Sequence, residues 1–216
     1  EKKISLTVTQ TQKVEGRVGL FRVPVEIAVT TSSGEKLFPV EISKAEETFS
    51  FPADGPPLMV LFDKGDKILK SLDFQKTPEE WIRQLQTASD VPDRADAAVA
   101  LGNLKDNDDV TGALGKAARQ DKFWGVREEA LRALGRENSP ASRKQVLAAL
   151  SNDQPWVRQV AVEQLGHFQN DGDVVKRLQN IYKDDKSYSV RGAALQSLAQ
   201  AKANGVAGLL EKALTT

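Results

Sequence analysis

The sequence predicts a β + α multidomain chain: a small antiparallel β-sandwich followed by an α–α superhelix of stacked two-helix repeats. Three observations carry this. Apolar residues alternate with period two up to about Phe74 and recur at helical spacing from Thr77 onward. A strong helix-start signal stands at the change of period. And Trp124-Gly125-Val126-Arg127, Trp156-Val157-Arg158 and Tyr188-Ser189-Val190-Arg191 repeat one signature, with their arginines 31 and 33 residues apart and Arg94 33 residues before Arg127. A period of that size with two helical patterns per unit is the mark of a stacked helical solenoid.

The strand half is read over residues 1–76. Ile4, Leu6 and Val8 alternate with Ser5, Thr7 and Thr9; Val25, Ile27 and Val29 alternate with Glu26, Ala28 and Thr30; Phe38, Val40 and Ile42 alternate with Pro39 and Glu41. Such alternation reads as half-buried antiparallel sheet. Ser32-Ser33-Gly34-Glu35 has hairpin-loop composition and Asp54-Gly55-Pro56-Pro57 that of a loop. Asp63-Lys64-Gly65-Asp66 is expected to turn the strand Leu58–Phe62 into another at Lys67–Leu72. Six or seven short strands are expected in all.

The helical half is read over residues 77–216. Thr77 is an N-cap, Pro78 suits the first helical position, and Glu80 completes a capping box. In the second helix of each repeat Val126, Ala130 and Leu134 lie four apart, as do Val157, Ala161 and Leu165, and Val190, Ala194 and Leu198, so each set shares one face. Gly135 and Gly166 are expected to stop their helices as C-terminal caps. First helices are expected at Asp109–Arg119, Ser139–Leu150 and Asp173–Lys183, with a closing helix at Asn204–Leu214. Asp93 stands where the later units have valine, as a terminal repeat allows. Gly112 and Gly115 inside a helical pattern read as close helix packing.

Composition narrows the function classes. The chain has 30 basic and 30 acidic residues, and the signs also cancel on either side of Thr77, so neither half offers phosphate a net positive surface and nucleic acid is not expected as a partner. There is no cysteine, which removes disulfides, thiolate zinc sites and cysteine nucleophiles. It leaves the compartment open between cytoplasm and periplasm. No apolar run approaches the ~18 residues of a membrane span, so no membrane partner is expected. The start lacks both an initiator methionine and a hydrophobic leader, and reads as a piece of something longer or a processed chain.

Two constellations stand out. Arg94, Arg127, Arg158 and Arg191 share a register and follow Asp90, Asp121, Asp153 and the pair Asp184-Asp185. A planar guanidinium makes several directed bonds at once, so the expected role is a structural ladder in which each arginine bonds aspartates or carbonyls of its own or the next repeat. The other reading is a row of ligand-binding arginines. Trp124, Trp156 and Tyr188 precede three of these arginines at the start of the second helices. They suit packing between repeats, or a row of partner anchors at an interaction edge. His167 is the single histidine, too few for a zinc hydrolase site, which takes three protein ligands. The acidic runs Asp106/Asp108/Asp109 and Glu128-Glu129 suit solvated faces. No nucleophile elbow, phosphate loop or dinucleotide fingerprint occurs. No catalytic, cofactor or metal residue can be named.

The segment Phe62-Asp63-Lys64-Gly65-Asp66-Lys67-Ile68-Leu69-Lys70-Ser71-Leu72-Asp73-Phe74, followed by Thr77-Pro78-Glu79-Glu80-Trp81-Ile82-Arg83-Gln84-Leu85, resembles the C-terminal part of bacterial M1 family zinc aminopeptidases. There a β-sandwich leads into HEAT-like repeats. Thr9-Gln10-Thr11-Gln12 and Leu20-Phe21-Arg22-Val23-Pro24-Val25 fit the same region, and the repeats resemble HEAT/armadillo units. That family's His-Glu-x-x-His zinc signature and Gly-x-Met-Glu-Asn motif match nothing here, so zinc would belong to the parent enzyme, upstream of Glu1. The resemblance implies an accessory region that supports the catalytic domain of the same polypeptide and encloses its cavity. The alternative expectation is a repeat scaffold binding a peptide or protein partner on its concave helical face, with the β-sandwich as an adaptor. A rigid junction is expected near Phe74–Thr77, its core formed by Leu69, Leu72, Phe74, Trp81 and Leu85.

Overall fold

A computed structural model describes residues 2–16, 18–168 and 171–214. Five strands and nine α-helices follow one another in these residues. Contacts divide the chain into two compact units: residues 1–84 with 88–93, and residues 85–87 with 94–216.

The first unit holds two antiparallel sheets. β1 (Lys3–Thr9) pairs with β4 (Glu46–Pro52), and β2 (Val23–Thr31) is flanked by β3 (Gly34–Ile42) and β5 (Met59–Phe62). The register sets Ile4 against Phe51, Leu6 against Phe49 and Ile27 against Phe38, so the apolar half of each alternation faces one way. Those residues meet in one core around Val25, Ile27, Val29, Ile42 and Phe51, with Phe38 stacked on Phe51 at 4.6 Å between ring centres. Ser32 and Ser33 form the two-residue loop that joins β2 to β3.

One strand was not anticipated and one expected strand is corrected. Glu46–Pro52 is a strand whose inward Phe49 and Phe51 supply much of the core, although its run of glutamates hides the alternation. Lys67–Leu72 is not a strand, because Asp63 captures the chain first. Asp63 and Asp66 adopt left-handed backbone, and the buried Asp63 carboxylate accepts from the Ile68 N–H at 3.0 Å and the Lys70 ammonium at 2.7 Å. Leu69 is therefore fully exposed and Leu72 about half exposed, so neither belongs to a core.

The second unit is built of helix pairs. α1 (Pro78–Thr87) begins with the expected capping box, Thr77 Oγ1 accepting from Glu80 N and Glu80 accepting from Thr77 N, and its first seven residues belong to the first unit. α2 (Val91–Leu101) contributes Arg94 onward to the second unit. The pairs α3 (Asp108–Gln120) with α4 (Trp124–Glu137), α5 (Pro140–Ala148) with α6 (Pro155–Leu165), and α7 (Gly172–Asp184) with α8 (Tyr188–Gln200) follow, and α9 (Val206–Leu214) packs on α8. A 3₁₀ turn at Ala149–Ser151 extends α5. Asn107, Ser139 and Asp171 cap the first helices with their side chains. Val126, Ala130, Leu134, Val157, Ala161, Leu165, Val190, Ala194 and Leu198 are all buried, and α4, α6 and α8 lie side by side.

The glycines depart from expectation. α4 runs past Gly135 to Glu137 and stops at Asn138, whose left-handed backbone (φ 53°) forms the cap. Gly135 is instead buried where a Cβ would overlap Gln164 of α6. Gly166 does end α6, but in right-handed backbone (φ −60°). Gly115 makes the expected close approach, to Gln145, whereas Gly112 has open space around it.

Candidate functional site

The second helices present two rows of side chains at their N-terminal ends. The inner row is the arginine column. Arg94 grips Asp121 with two bonds, Nε to Oδ2 at 2.8 Å and Nη2 to Oδ1 at 3.1 Å. Arg127 donates to the Asp121 carbonyl at 2.8 Å and to Asn152 Oδ1 at 3.2 Å, with the exposed Asp153 carboxylate at 3.6 Å. Arg158 grips Asp185 through two bonds of 2.9 Å and donates to the carbonyls of Asn152 at 2.9 Å and Asp153 at 3.2 Å. Each of these guanidinium groups thus reaches the loop one repeat onward, and Arg127 and Arg158 also bond their own loop. The acceptors Asp121, Asn152 and Asp185 each stand six residues before an arginine. Each also accepts from an N–H two residues on: Phe123, Gln154 and Ser187. One side chain therefore shapes the loop and ties two repeats.

The middle acceptor is Asn152, with Asp153 beside it. Sequence reasoning missed Asn152 because an aspartate stood one position away; the six-residue offset from the arginine would have found it. Asp90 lies elsewhere, paired with Lys64 at 3.0 Å in the first unit. Arg191 contacts no carboxylate within bonding distance among the described residues; its guanidinium lies 4.6 Å from the Tyr188 ring centre. The two bonds to Arg158 hold the Asp185 carboxyl below the usual carboxylate range, and the Ser187 N–H adds to this against burial.

The outer row is aromatic. Trp124, Trp156 and Tyr188 are 47%, 61% and 80% exposed, so their rings are not buried between repeats. Trp124 leans on Phe123, with ring centres 5.3 Å apart. Trp124 and Trp156 flank an open groove of about 520 Å³ between α4 and α6, lined also by Glu128, Arg132, Gln159, Val160 and Glu163. Gln159 Nε2 donates to Glu163 Oε1 at 2.9 Å, while Gln159 Oε1 is buried without a donor. Burial pushes the Glu128 carboxyl up; Arg132 opposes the shift, and Glu163 and Glu129 reinforce it. These polar residues were not expected in a groove, yet Glu128 lies four residues after Trp124, and Gln159 and Glu163 lie three and seven after Trp156. That helical spacing puts them on the tryptophan face.

Among the described residues no group of three or more His, Asp or Glu side chains comes together around a metal-sized space. His167 Nδ1 lies 3.4 Å from Gln200 Nε2 in a cleft that also holds the Arg143–Asp171 pair. Asp108 and Asp109 sit in the first turn of α3, beside the Asn107 cap. No helix among the described residues is long and apolar enough to cross a membrane.

Fold and site together define an α-solenoid of two-helix repeats, preceded by a small β unit and presenting an aromatic-edged surface. The sequence profile of HEAT repeats matches residues 78–156 and 144–216, more than half of the chain, and the chain belongs to the HEAT-repeat family. No curated protein matches it in sequence. Among solved structures, the chain is similar to Legionella pneumophila aminopeptidase A in complex with aspartic acid (13% identity, 97% of this chain and 31% of that one, TM-score 0.65). It is also similar to human deoxyhypusine hydroxylase in complex with glycerol (24% identity, 59% of this chain and 44% of that one, TM-score 0.52). At these identities the likeness is one of fold. The chain spans less than half the length of either protein.

Proposed function

We propose that this chain is the non-catalytic C-terminal region of an M1-type zinc aminopeptidase, supporting the catalytic domain of the same polypeptide and helping to enclose its cavity. The observation that carries the reading is the extent of the aminopeptidase likeness. It covers 97% of the chain, strands and helices alike, whereas the HEAT profile accounts for the helices alone. The sandwich-to-helix stretch Phe62–Leu85, which resembles this family in sequence, supports the same reading. In it the zinc, the general base and the peptide-binding residues belong to the region upstream, and this chain contributes walls and rigidity.

The test is the coding sequence upstream of Glu1. A His-Glu-x-x-His helix with a downstream glutamate, the set that builds an open zinc site and its general base, is expected there. An upstream region without it sinks the aminopeptidase reading. A second reading, a HEAT scaffold for a protein partner, is favoured by one specific observation: Trp124, Trp156 and Tyr188 stand exposed at the starts of the second helices.

A further inference from the structure

We propose that the groove between α4 and α6 is a docking site for a lysine- or arginine-bearing peptide segment of a partner protein, the cationic side chain lying between Trp124 and Trp156 with Glu128 as its counter-charge. This goes beyond the aminopeptidase reading and stands or falls separately from it.

Three features of the groove select a cation. Its lining includes Trp124 and Trp156, the ring type that attracts cations most strongly, and they are 47% and 61% exposed. The next repeat shows what such a ring takes: Tyr188, at the start of α8, already carries a guanidinium, that of Arg191. No cation of the described residues lies over Trp124 or Trp156 in that way. The floor, second, is rich in acceptors. The Glu128 carboxylate makes no hydrogen bond or close ion pair among the described residues, and the buried Gln159 Oε1 has no donor. The half-buried Glu128 carboxylate gains a charge-assisted bond from an incoming N–H donor.

The charge balance, third, is negative. Glu128 and Glu163 line the groove with Glu129 adjacent, against Arg132 alone, whose Nη1 stands 4.0 Å from Glu163 Oε2. An anionic ligand would meet two carboxylates for one guanidinium, and a purely apolar one would cover the Glu128 carboxylate without giving it a donor. A cationic stem with an ammonium or guanidinium head satisfies the rings and the Glu128 carboxylate together.

The experiment is titration of the 216-residue chain with a blocked heptapeptide carrying three lysines, followed by tryptophan fluorescence and calorimetry. Controls are the same peptide with norleucine, and with glutamate, in place of lysine. The lysine peptide binds; the norleucine peptide binds at least about ten-fold more weakly, since a charge-assisted bond and a cation–π contact are lost. Glu128→Gln keeps the shape of the groove and weakens lysine-peptide binding about ten-fold. The same variant leaves the melting temperature unchanged or raised, because it removes a carboxylate that burial disfavours. Trp156→Ala weakens binding similarly; should it fail to fold, Glu128→Gln alone decides. Absence of binding at millimolar peptide, equal binding of the norleucine or glutamate peptide, or unchanged affinity in Glu128→Gln overturns the proposal.

Discussion

Arg158→Ala tests the link between neighbouring repeats. The substitution removes four hydrogen bonds: two to the Asp185 carboxylate, which ties the next repeat, and two to loop carbonyls of its own. Both charged partners are largely buried, with side-chain exposures of 14% and 11%. Breaking a fully buried pair costs about 3–5 kcal/mol, because one charge is left without its partner. Here the cost is smaller. Asp185 keeps its bond from Ser187 N–H, and the carbonyls lie near enough to the surface to find water. A loss of about 2–3 kcal/mol follows from charge-assisted bonds discounted for that rescue. Urea unfolding at neutral pH measures it. Arg191→Ala is the internal control: its guanidinium lies over an exposed ring and grips no carboxylate among the described residues, so its loss stays within about 0.5 kcal/mol. An Arg158→Ala loss as small as that of the control refutes the ladder as a source of stability.

Two further outcomes follow from the same structure. A Cβ at Gly102 would come within 2.7 Å of the Ala133 Cβ and 3.0 Å of its Cα, so Gly102→Ala forces backbone apart and costs about 1–3 kcal/mol, whereas Gly112→Ala, exposed in mid-helix with open space, gains about 0.5–1 kcal/mol; thermal melts of both decide. Asp185 and Asp63 have carboxyls held below their ordinary range, Asp185 mainly by Arg158; at Asp63 burial works to raise the value, and Lys70 and the Ile68 N–H together outweigh it. Their stabilisation is complete above the unfolded-state value of about 3.9 and is lost as pH falls through the lowered native values, so urea midpoints should drop below about pH 4. The drop should be shallower in Arg158→Ala, and an equal drop there contradicts the pairing.

The helical half was legible because its signals are local. Val126, Ala130 and Leu134 and their counterparts set the face, and Thr77-Pro78 with Glu80 set the start, all within a few residues of one another. The β unit was less so, since Glu46-Glu47 masked a strand that only its pairing with β1 reveals. Lys67–Leu72 has strand composition, yet it is held by the Asp63 side chain, a bond that alternation does not encode. At the site, Arg94, Arg127 and Arg158 reach acceptors one repeat onward, while Arg191 lies over Tyr188 and the acceptor in the middle rung is Asn152, differences that a shared register does not encode. Gly135 was misread because a glycine near a helix end serves equally as a cap or as a close contact. Only the neighbouring helix, through Gln164, distinguishes the two.

Metal content and peptidase activity, measured side by side on the chain with its upstream region and on the 216-residue chain, test the proposed function most directly. The longer protein is expected to hold about one zinc per chain after dialysis, as a three-ligand catalytic site requires, and to release N-terminal residues from peptides. The shorter chain, with one histidine and no thiolate, is expected to do neither. A longer protein without zinc or activity, or a 216-residue chain that hydrolyses aminoacyl substrates, contradicts the account.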